Sequence, residues 1–304
     1  MKRGWITWDH AELPPEAFAA RLDLARKHIA RRDLPALAVY TDNWRSNDGR
    51  FFSNFMPYFN RALLVIPGEG SPVLLCGLSP RVYPWIRSVT ILDEIRSSPN
   101  LPQKFLELCS EKGWAKIGVM DLPALPRELH APLSGGPVEL VDVARGAVRR
   151  SPDAWELAMY RRAAALARQA LAEELPHAGG MPGHAFAGRL EARLRRAGAE
   201  DVILLMSDGE TAPAPARGAA LGKDSSVALA LEYRGHWVKV ARPLEDARPS
   251  NRDTPAFLEN LAGPYPYEPG PGPLFASHFV LRRGGKRLFY SDTYHHVKDG
   301  AELL

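Results

Sequence analysis

The sequence predicts two domains, an α/β domain over residues 1–148 and an α+β domain over residues 149–304. Three observations support this division. The chain has 304 residues, more than the roughly 250–300 that a single hydrophobic core usually holds. In the first half, strand patterns alternate with helix patterns. In the second half, two long helix patterns come first and most strand patterns follow them, an order typical of a separate α+β domain.

Hydrophobic periodicity predicts each element of the first domain. A helix pattern runs from Pro14 to Arg32, with two prolines at its start, where the first helical turn tolerates them. A second helix pattern covers residues 102–112. Short apolar runs predict buried strands at residues 36–40, 62–66, 72–76, 117–120 and 138–141. The turn-rich residues 67–71 join two of these strands and favour a hairpin.

The pattern changes near Arg149, where we place the domain boundary. Ser151 or Asp153 is suited to cap the long helix that follows, with Pro152 in its first turn. A second amphipathic helix is predicted from Ala185 to Ala197. Strands are predicted at residues 202–206, 227–231, 236–241, 274–282, 287–290 and 294–297. The intervening residues 243–273 are rich in Pro, Gly, Asn and Asp, which predicts a loop with at most one short helix near residues 256–261.

Composition excludes several classes of protein. The net charge is +4, but Lys and Arg are interleaved with Asp and Glu, which is typical of solvated helix faces and not of a nucleic-acid-binding surface. Only Cys76 and Cys109 occur, too few for a disulfide framework. No apolar run approaches the roughly 18 residues of a membrane span. We therefore expect a cytoplasmic protein with neither a nucleic-acid partner nor a membrane partner.

Four segments of the sequence follow one another in a recognisable order. In residues 40–67 a predicted strand leads through a polar loop and the run Phe51-Phe52-Ser53-Asn54-Phe55 into the next hairpin. The charged residues 150–157 begin a long helix, residues 179–199 contain a Gly-Pro turn and a second helix, and residues 292–304 contain a final strand and turn. Together these segments resemble the creatinase/aminopeptidase P/prolidase family. The resemblance implies a creatinase N-domain-like α/β domain followed by a truncated α+β pita-bread domain.

The resemblance also implies where metal ligands would stand. Typical members hold two metal ions with two Asp, one His and two Glu, and the paired ions activate a water. If residues 241–243 take the place of the family's Thr-Arg-Thr motif, the two Asp positions carry Ala228 and Lys239, and Ser291 stands where the closing Glu is expected. Glu268, in the sequence Glu-Pro-Gly, copies the first Glu motif.

The His-bearing segment of the family is missing, because only 25 residues separate Arg242 from Glu268. One ligand of five cannot hold two ions, so we predict no metal and no cofactor. Creatinase itself works without metal by means of a His in the loop that corresponds to residues 207–216. That loop contains no His in this sequence.

Polar residues near the positions of the missing metal ligands are the candidates for catalysis and substrate binding. Lys239, His236 and His278 are the candidate catalytic residues, and Arg242 and Glu232 are candidate substrate-binding residues. Strand alternation places His236, Val238 and Val240 on one face of their strand and Trp237, Lys239 and Ala241 on the other. Lys239 is either a salt-bridged surface lysine or a substitute for metal charge that binds a carboxylate or phosphate or lowers a neighbour's pKa.

Two further groups of residues have alternative interpretations. Neighbouring His295 and His296 point to opposite faces of a strand, which favours packing or hydrogen bonding over metal binding. Trp44, Arg45 and Arg61 belong to a polar, Arg-rich loop of the first domain. This loop is either a solvated connection or, as the resemblance implies, a segment that reaches across a dimer and closes the partner's pocket. In the second case these three residues are further candidate substrate-binding residues.

Two functions of different class remain open. The first is a metal-free, noncatalytic partner subunit that pairs with itself or with a catalytic relative whose pocket it completes or regulates. The second is a metal-independent hydrolase, lyase or cyclase that acts on a C–N bond of a small amino-acid-like molecule. Neither is a functional dinuclear metallopeptidase.

Overall fold

The computed structural model describes residues 6–57, 60–149, 151–250, 252–261 and 273–304. The chain divides into two compact units, of which the first ends at Arg150 and the second runs from Ser151 to Leu304. Among the helices in these ranges, none combines the length and the apolar character of a membrane-spanning segment.

The first unit alternates strands and helices, as its hydrophobic periodicity predicts. Its helices and strands are α1 (Pro15–Arg31), β1 (Ala36–Asp42), α2 (Asn47–Ser53), β2 (Arg61–Pro67), β3 (Val73–Cys76), α3 (Tyr83–Val89), β4 (Glu94–Ser97), α4 (Leu101–Glu111), β5 (Lys116–Met120), α5 (Arg127–Leu133), β6 (Glu139–Val143) and α6 (Arg145–Val148). Short 3-10 turns lie at Pro80–Val82 and Leu122–Ala124. The polar loop expected after β1 therefore contains a two-turn helix, α2.

A six-stranded mixed sheet in the order β4-β3-β2-β1-β5-β6 forms the centre of this unit. The predicted hairpin is present, because β2 and β3 pair antiparallel. Alternate residues of β1 enter two different cores: Leu37 and Val39 lie in one core with Leu22 of α1, whereas Ala38 lies in the other with Phe105 of α4. Helices therefore cover both faces of the sheet, which gives a three-layer α/β domain.

The second unit places two helices before an antiparallel sheet. Its elements are α7 (Ala154–Glu174), a 3-10 turn (Leu175–His177), α8 (Gly183–Arg196), β7 (Asp201–Ser207), β8 (Ala214–Pro215), β9 (Ser226–Tyr233), β10 (His236–Pro243), β11 (Phe257–Asn260), β12 (Leu274–Arg283), β13 (Lys286–Val297) and β14 (Gly300–Leu303). Asp153 is the N-cap of α7: its Oδ1 accepts a hydrogen bond from Glu156 N at 2.8 Å. The strands run in the order β11-β12-β13-β10-β9-β7-β8, and β14 pairs with β13.

One face of this sheet packs against the two helices. Leu229 and Leu231 of β9 and Val238 and Val240 of β10 are buried in a core shared with α7 and α8; the helix residues of that core include Ala163, Ala167, Phe186 and Leu190. Residues that alternate with these apolar side chains project from the opposite face. We call that opposite face the Lys239 face and define it by Ala228, Ala230, Lys239, Ala241 and Ser291.

Two sequence predictions for this unit are wrong. The short helix expected near residues 256–261 is a strand, because Phe257–Asn260 pairs antiparallel with β12 over four residues. Pairing with a neighbouring strand outweighs the loop-like composition of the segment. The separate strands expected at residues 287–290 and 294–297 are parts of the single strand β13.

Candidate functional site

Strand register brings the predicted site positions to one face. Ala241 of β10 lies directly opposite Ala228 of β9 on one side and Ser291 of β13 on the other. Ser291 in turn lies opposite His278 of β12. Residues that face each other across paired strands project to the same side of a sheet. Ala228, Ala241, Ser291 and His278 therefore form one row across four strands of the Lys239 face.

Lys239 lies on the same face, two residues before Ala241. Its ammonium Nζ forms an ion pair with Oε1 of Glu259 on β11. The Lys239 and Glu259 side chains reach each other across β12 and β13, where the intervening residues are Ala276 and Thr293. The Nε2 atom of His278 lies 3.2 Å from the other Glu259 oxygen, Oε2. We call Lys239, Glu259 and His278 the Lys239 cluster.

The Lys239 cluster is partly open to solvent. The exposed side-chain fractions are 33% for Lys239, 24% for Glu259 and 20% for His278. The hydrogen bond from His278, reinforced by Lys239, lowers the pKa of Glu259 to about 2 although burial acts in the opposite direction. The His278 ring also stacks on Phe257, with 4.3 Å between ring centroids. Glu259 is therefore ionised at neutral pH and is held between two nitrogen donors.

Two hydroxyl side chains complete this face. Thr293 Oγ1 accepts a hydrogen bond from the Lys239 backbone N–H and donates one to the Lys239 carbonyl, both at 2.9 Å. At Lys239, the Thr293 side chain thus takes the place of a backbone hydrogen-bond partner from β13. These two hydrogen bonds fix the position of the Lys239 backbone. Ser291 is only 2% exposed, and its Oγ has no hydrogen-bond partner in the part of the chain that the structure describes.

His236 and Arg242 lie on the helix-covered face, opposite Lys239. The His236 Nε2 atom is 3.6 Å from Glu156 Oε1, and the ring contacts Tyr160 edge-on at a centroid distance of 4.8 Å. Arg242 binds both oxygens of the buried Asp292, at 2.8 and 2.9 Å. The predicted catalytic set is thus divided between the two sides of the sheet, and only Lys239 and His278 share a site.

The remaining candidates of the second unit lie apart from the Lys239 cluster. Glu232 is completely buried at the end of β9, opposite Trp237. His295 Nδ1 lies 3.7 Å from Glu302 Oε2, whereas His296 is exposed on the other side of β13.

The loop candidates belong to the first unit. Trp44 is 68% exposed, and Asp42 Oδ1 accepts hydrogen bonds from the backbone N–H groups of Trp44 and Arg45 at 2.7 and 2.6 Å. The Arg45 side chain donates a hydrogen bond to the Ala124 carbonyl at 2.5 Å. Arg61 pairs with Glu128 at 3.1 Å.

The donor set of the Lys239 face does not fit a pair of metal ions. The positions that the resemblance assigns to carboxylates carry a methyl group, an ammonium and a hydroxyl, and the carboxylate of Glu259 is already bound by two nitrogen donors. Within the described ranges, no three His, Cys, Asp or Glu side chains gather as a metal ion requires. The remaining predicted ligand, Glu268, lies outside these ranges.

Sequence reasoning missed Glu259. Its segment is rich in Pro, Asp and Asn, and a four-residue edge strand is too short to give a clear periodic signal. The available signal was the alternation of Phe257 and Glu259 with Leu258 and Asn260, which places the aromatic ring and the carboxylate on one face.

Comparison with solved structures identifies the fold. No protein-family model matches the sequence, and no curated protein matches it. An X-Pro aminopeptidase from Thermotoga maritima superimposes with a TM-score of 0.73 at 13% identity, over 93% of this chain and 96% of the other. An Xaa-Pro dipeptidase from Bacillus anthracis gives a TM-score of 0.69 at 13% identity, over 94% and 97% of the two chains. A prolidase from Pyrococcus horikoshii gives 0.68 at 12% identity, over 93% and 97%. The chain therefore has the two-domain pita-bread fold of X-Pro aminopeptidases and prolidases.

Proposed function

We propose that this chain is a metal-free pita-bread protein that acts as a partner subunit, in an oligomer with itself or with a related chain. The Lys239–Glu259 ion pair carries the proposal. An ammonium group at this position repels divalent cations and competes with them for the nearby carboxylate. Ala228 and Ser291, on the same face, do not supply the carboxylates that two such ions need.

The exposed Trp44 supports the partner role. Asp42 accepts hydrogen bonds from two consecutive N–H groups of the loop, so the indole projects from a defined turn. Tryptophan is enriched among the residues that dominate protein–protein binding energy. We propose that the Trp44 loop contacts the partner subunit and closes or regulates its pocket.

Co-expression tests this role directly. The chain is produced alone and together with a catalytic pita-bread relative from the same genome, and native mass, metal content and peptidase activity are measured. We expect an oligomer in which the relative carries the metal, with activity higher in the complex than in the relative alone. A chain that stays monomeric and leaves the relative's activity unchanged contradicts the proposal.

A matched pair of variants tests the contact itself. Trp44→Ala should weaken assembly at least about tenfold, which corresponds to about 1.4 kcal/mol of binding free energy. The control is Leu24→Ala, because Leu24 is also a large exposed apolar residue of the first unit, with 48% exposure. Equal effects of the two substitutions count against a specific role of the Trp44 loop.

The Lys239 cluster favours a second candidate function. Ammonium, carboxylate and imidazole groups in contact at a partly open face can transfer protons. A metal-independent hydrolase, lyase or cyclase acting on a C–N bond of a small amino-acid-like molecule would use such groups. Turnover of N-substituted amino acids that persists in a chelator and is lost in Lys239→Met supports this function. Loss of turnover in the chelator contradicts it.

A further inference from the structure

We propose that Lys239 and His278 form a binding site for a carboxylate ligand, and that Glu259 occupies this site in the unliganded chain until the ligand displaces it. The proposal deepens the metal-free role proposed for the Lys239 face and rests on it. It assigns a ligand class to that face, whichever of the two candidate functions holds.

The arrangement of the cluster shows what the two nitrogen donors bind. Lys239 Nζ contacts Oε1 of Glu259, and His278 Nε2 lies 3.2 Å from Oε2 of the same carboxylate. Each oxygen therefore has its own donor, and the donors come from different strands. Hydrogen bonds to both oxygens fix the plane of a carboxylate, as bidentate arginine–carboxylate pairs do. The internal Glu259 carboxylate marks the position and orientation of a ligand carboxylate.

Glu259 is carried by the element of the sheet that is easiest to move. Strand β11 has four residues and stands at the edge of the sheet order, and among the strands that the structure describes it pairs with β12 alone. Lys239 and His278 belong to longer strands that are paired on both sides. Short, singly paired edge segments open at lower free-energy cost than the interior of a sheet. A ligand can therefore displace Glu259 while the two donors keep their places.

Ser291 provides an independent reason to expect a ligand. Its hydroxyl is buried beside His278, and Oγ has no partner among the described residues. A buried polar group without a hydrogen bond costs roughly 1–3 kcal/mol, and most such groups are satisfied. The neighbouring Ala230, Ala241 and Ala276 add only methyl groups to this face. We therefore expect a small carboxylate bound beside His278 to accept a third hydrogen bond from Ser291.

Titration with acetate tests the proposal, and a second ion pair of the same sheet supplies the control for a cation that is merely freed by substitution. Acetate is titrated calorimetrically into the full chain at constant ionic strength, with chloride as the compensating ion. We expect Glu259→Gln to bind acetate at least about tenfold more tightly than the wild type, because the variant lacks the competing carboxylate. Adding Lys239→Met to Glu259→Gln should abolish the gain, and Ser291→Ala should weaken binding.

The control is Glu302→Gln, because Glu302 is also ion-paired, to Arg161, and lies near His295 on the same sheet. Its substitution should leave acetate binding unchanged. Histidine NMR signals followed in the wild-type chain give a second measurement that needs no variant, and acetate should shift the His278 signal saturably. Unchanged or weaker acetate binding in Glu259→Gln, or no shift of the His278 signal, overturns the proposal. Because the assembly experiment uses a partner chain without acetate, failure of the proposed partner role can be distinguished from failure of the carboxylate site.

Discussion

At the scale of single residues, ionic contacts distinguish the two faces of the second sheet. On the Lys239 face, an ammonium and an imidazole bind one carboxylate that is partly exposed to water. On the helix-covered face, Nη2 of Arg242 donates to both oxygens of the buried Asp292. A solvent ion can replace one partner of the exposed contact on the Lys239 face. The contact of Arg242 with Asp292 is buried, so solvent ions do not reach the Asp292 carboxylate. We therefore expect ligand binding on one face and structural stabilisation on the other.

The Lys239 cluster makes stability depend on pH in the acid range. Its two nitrogen donors hold the pKa of Glu259 at about 2, below the ordinary 4.5. Ionised Glu259 therefore stabilises the native state above the ordinary pKa, and this contribution is lost as the pH falls toward about 2. We expect the wild type to exceed Glu259→Gln in free energy of unfolding by about 1 kcal/mol at neutral pH, a value reduced by solvent screening. Urea denaturation of both proteins at decreasing pH measures the difference, which should shrink; a constant difference contradicts the assignment.

Removal of Arg242 should be far more damaging. Arg242→Met leaves the carboxylate of Asp292, only 2% exposed, buried without its cation, and such a change costs about 3–5 kcal/mol. The control is Arg161→Met, which breaks the exposed pair with Glu302 and should cost only about 0–1 kcal/mol. Urea denaturation measures both costs. Adding Asp292→Asn to Arg242→Met should recover part of the loss, and similar costs for the two single variants count against this account.

At the scale of elements, the cluster depends on how β10 is joined to β13. The hydroxyl of Thr293 bridges both backbone groups of Lys239, so the strand that carries the ammonium is anchored by a side chain. Thr293→Val keeps the shape but removes both hydrogen bonds and leaves buried backbone groups without partners. We expect it to lower the free energy of unfolding by roughly 1–3 kcal/mol, measured by urea denaturation. Thr293→Ser, which keeps the hydroxyl, should retain most of the stability; an equal loss in both variants would mean that packing of the methyl group matters more.

The elements also show how far the sequence predicts the site. The orientation of Lys239 follows from alternation alone, because the apolar Val238 and Val240 must face the helices. The contact with Glu259 does not follow, because it depends on the position of an edge strand three strands away from β10 in the sheet order. Strand β11 forms by pairing with β12, which is distant in sequence, and the composition of its own segment is typical of a loop. Long helices and core strands are therefore predictable here, and the partner of Lys239 is not.

At the scale of the whole molecule, the two units have separate cores. Phe105 lies in a core whose described members all belong to the first unit, and Phe186 lies in the core shared by α7, α8 and the second sheet. Both rings are almost completely buried. Substitution of a buried Phe by Ala costs about 3–5 kcal/mol through lost burial and the cavity that remains. Because each core belongs to one unit, each substitution should act mainly on its own unit.

Hydrogen exchange measured by mass spectrometry tests this independence on the intact chain. Phe105→Ala should accelerate amide exchange in peptides from residues 6–149 and leave residues 151–304 close to the wild-type rates. Phe186→Ala should produce the reverse pattern, so that each variant is the control for the other. The physical reason is that exchange from a core strand requires opening of the cooperative unit to which that strand belongs. If either variant accelerates exchange equally in both ranges, the two units unfold as one cooperative body.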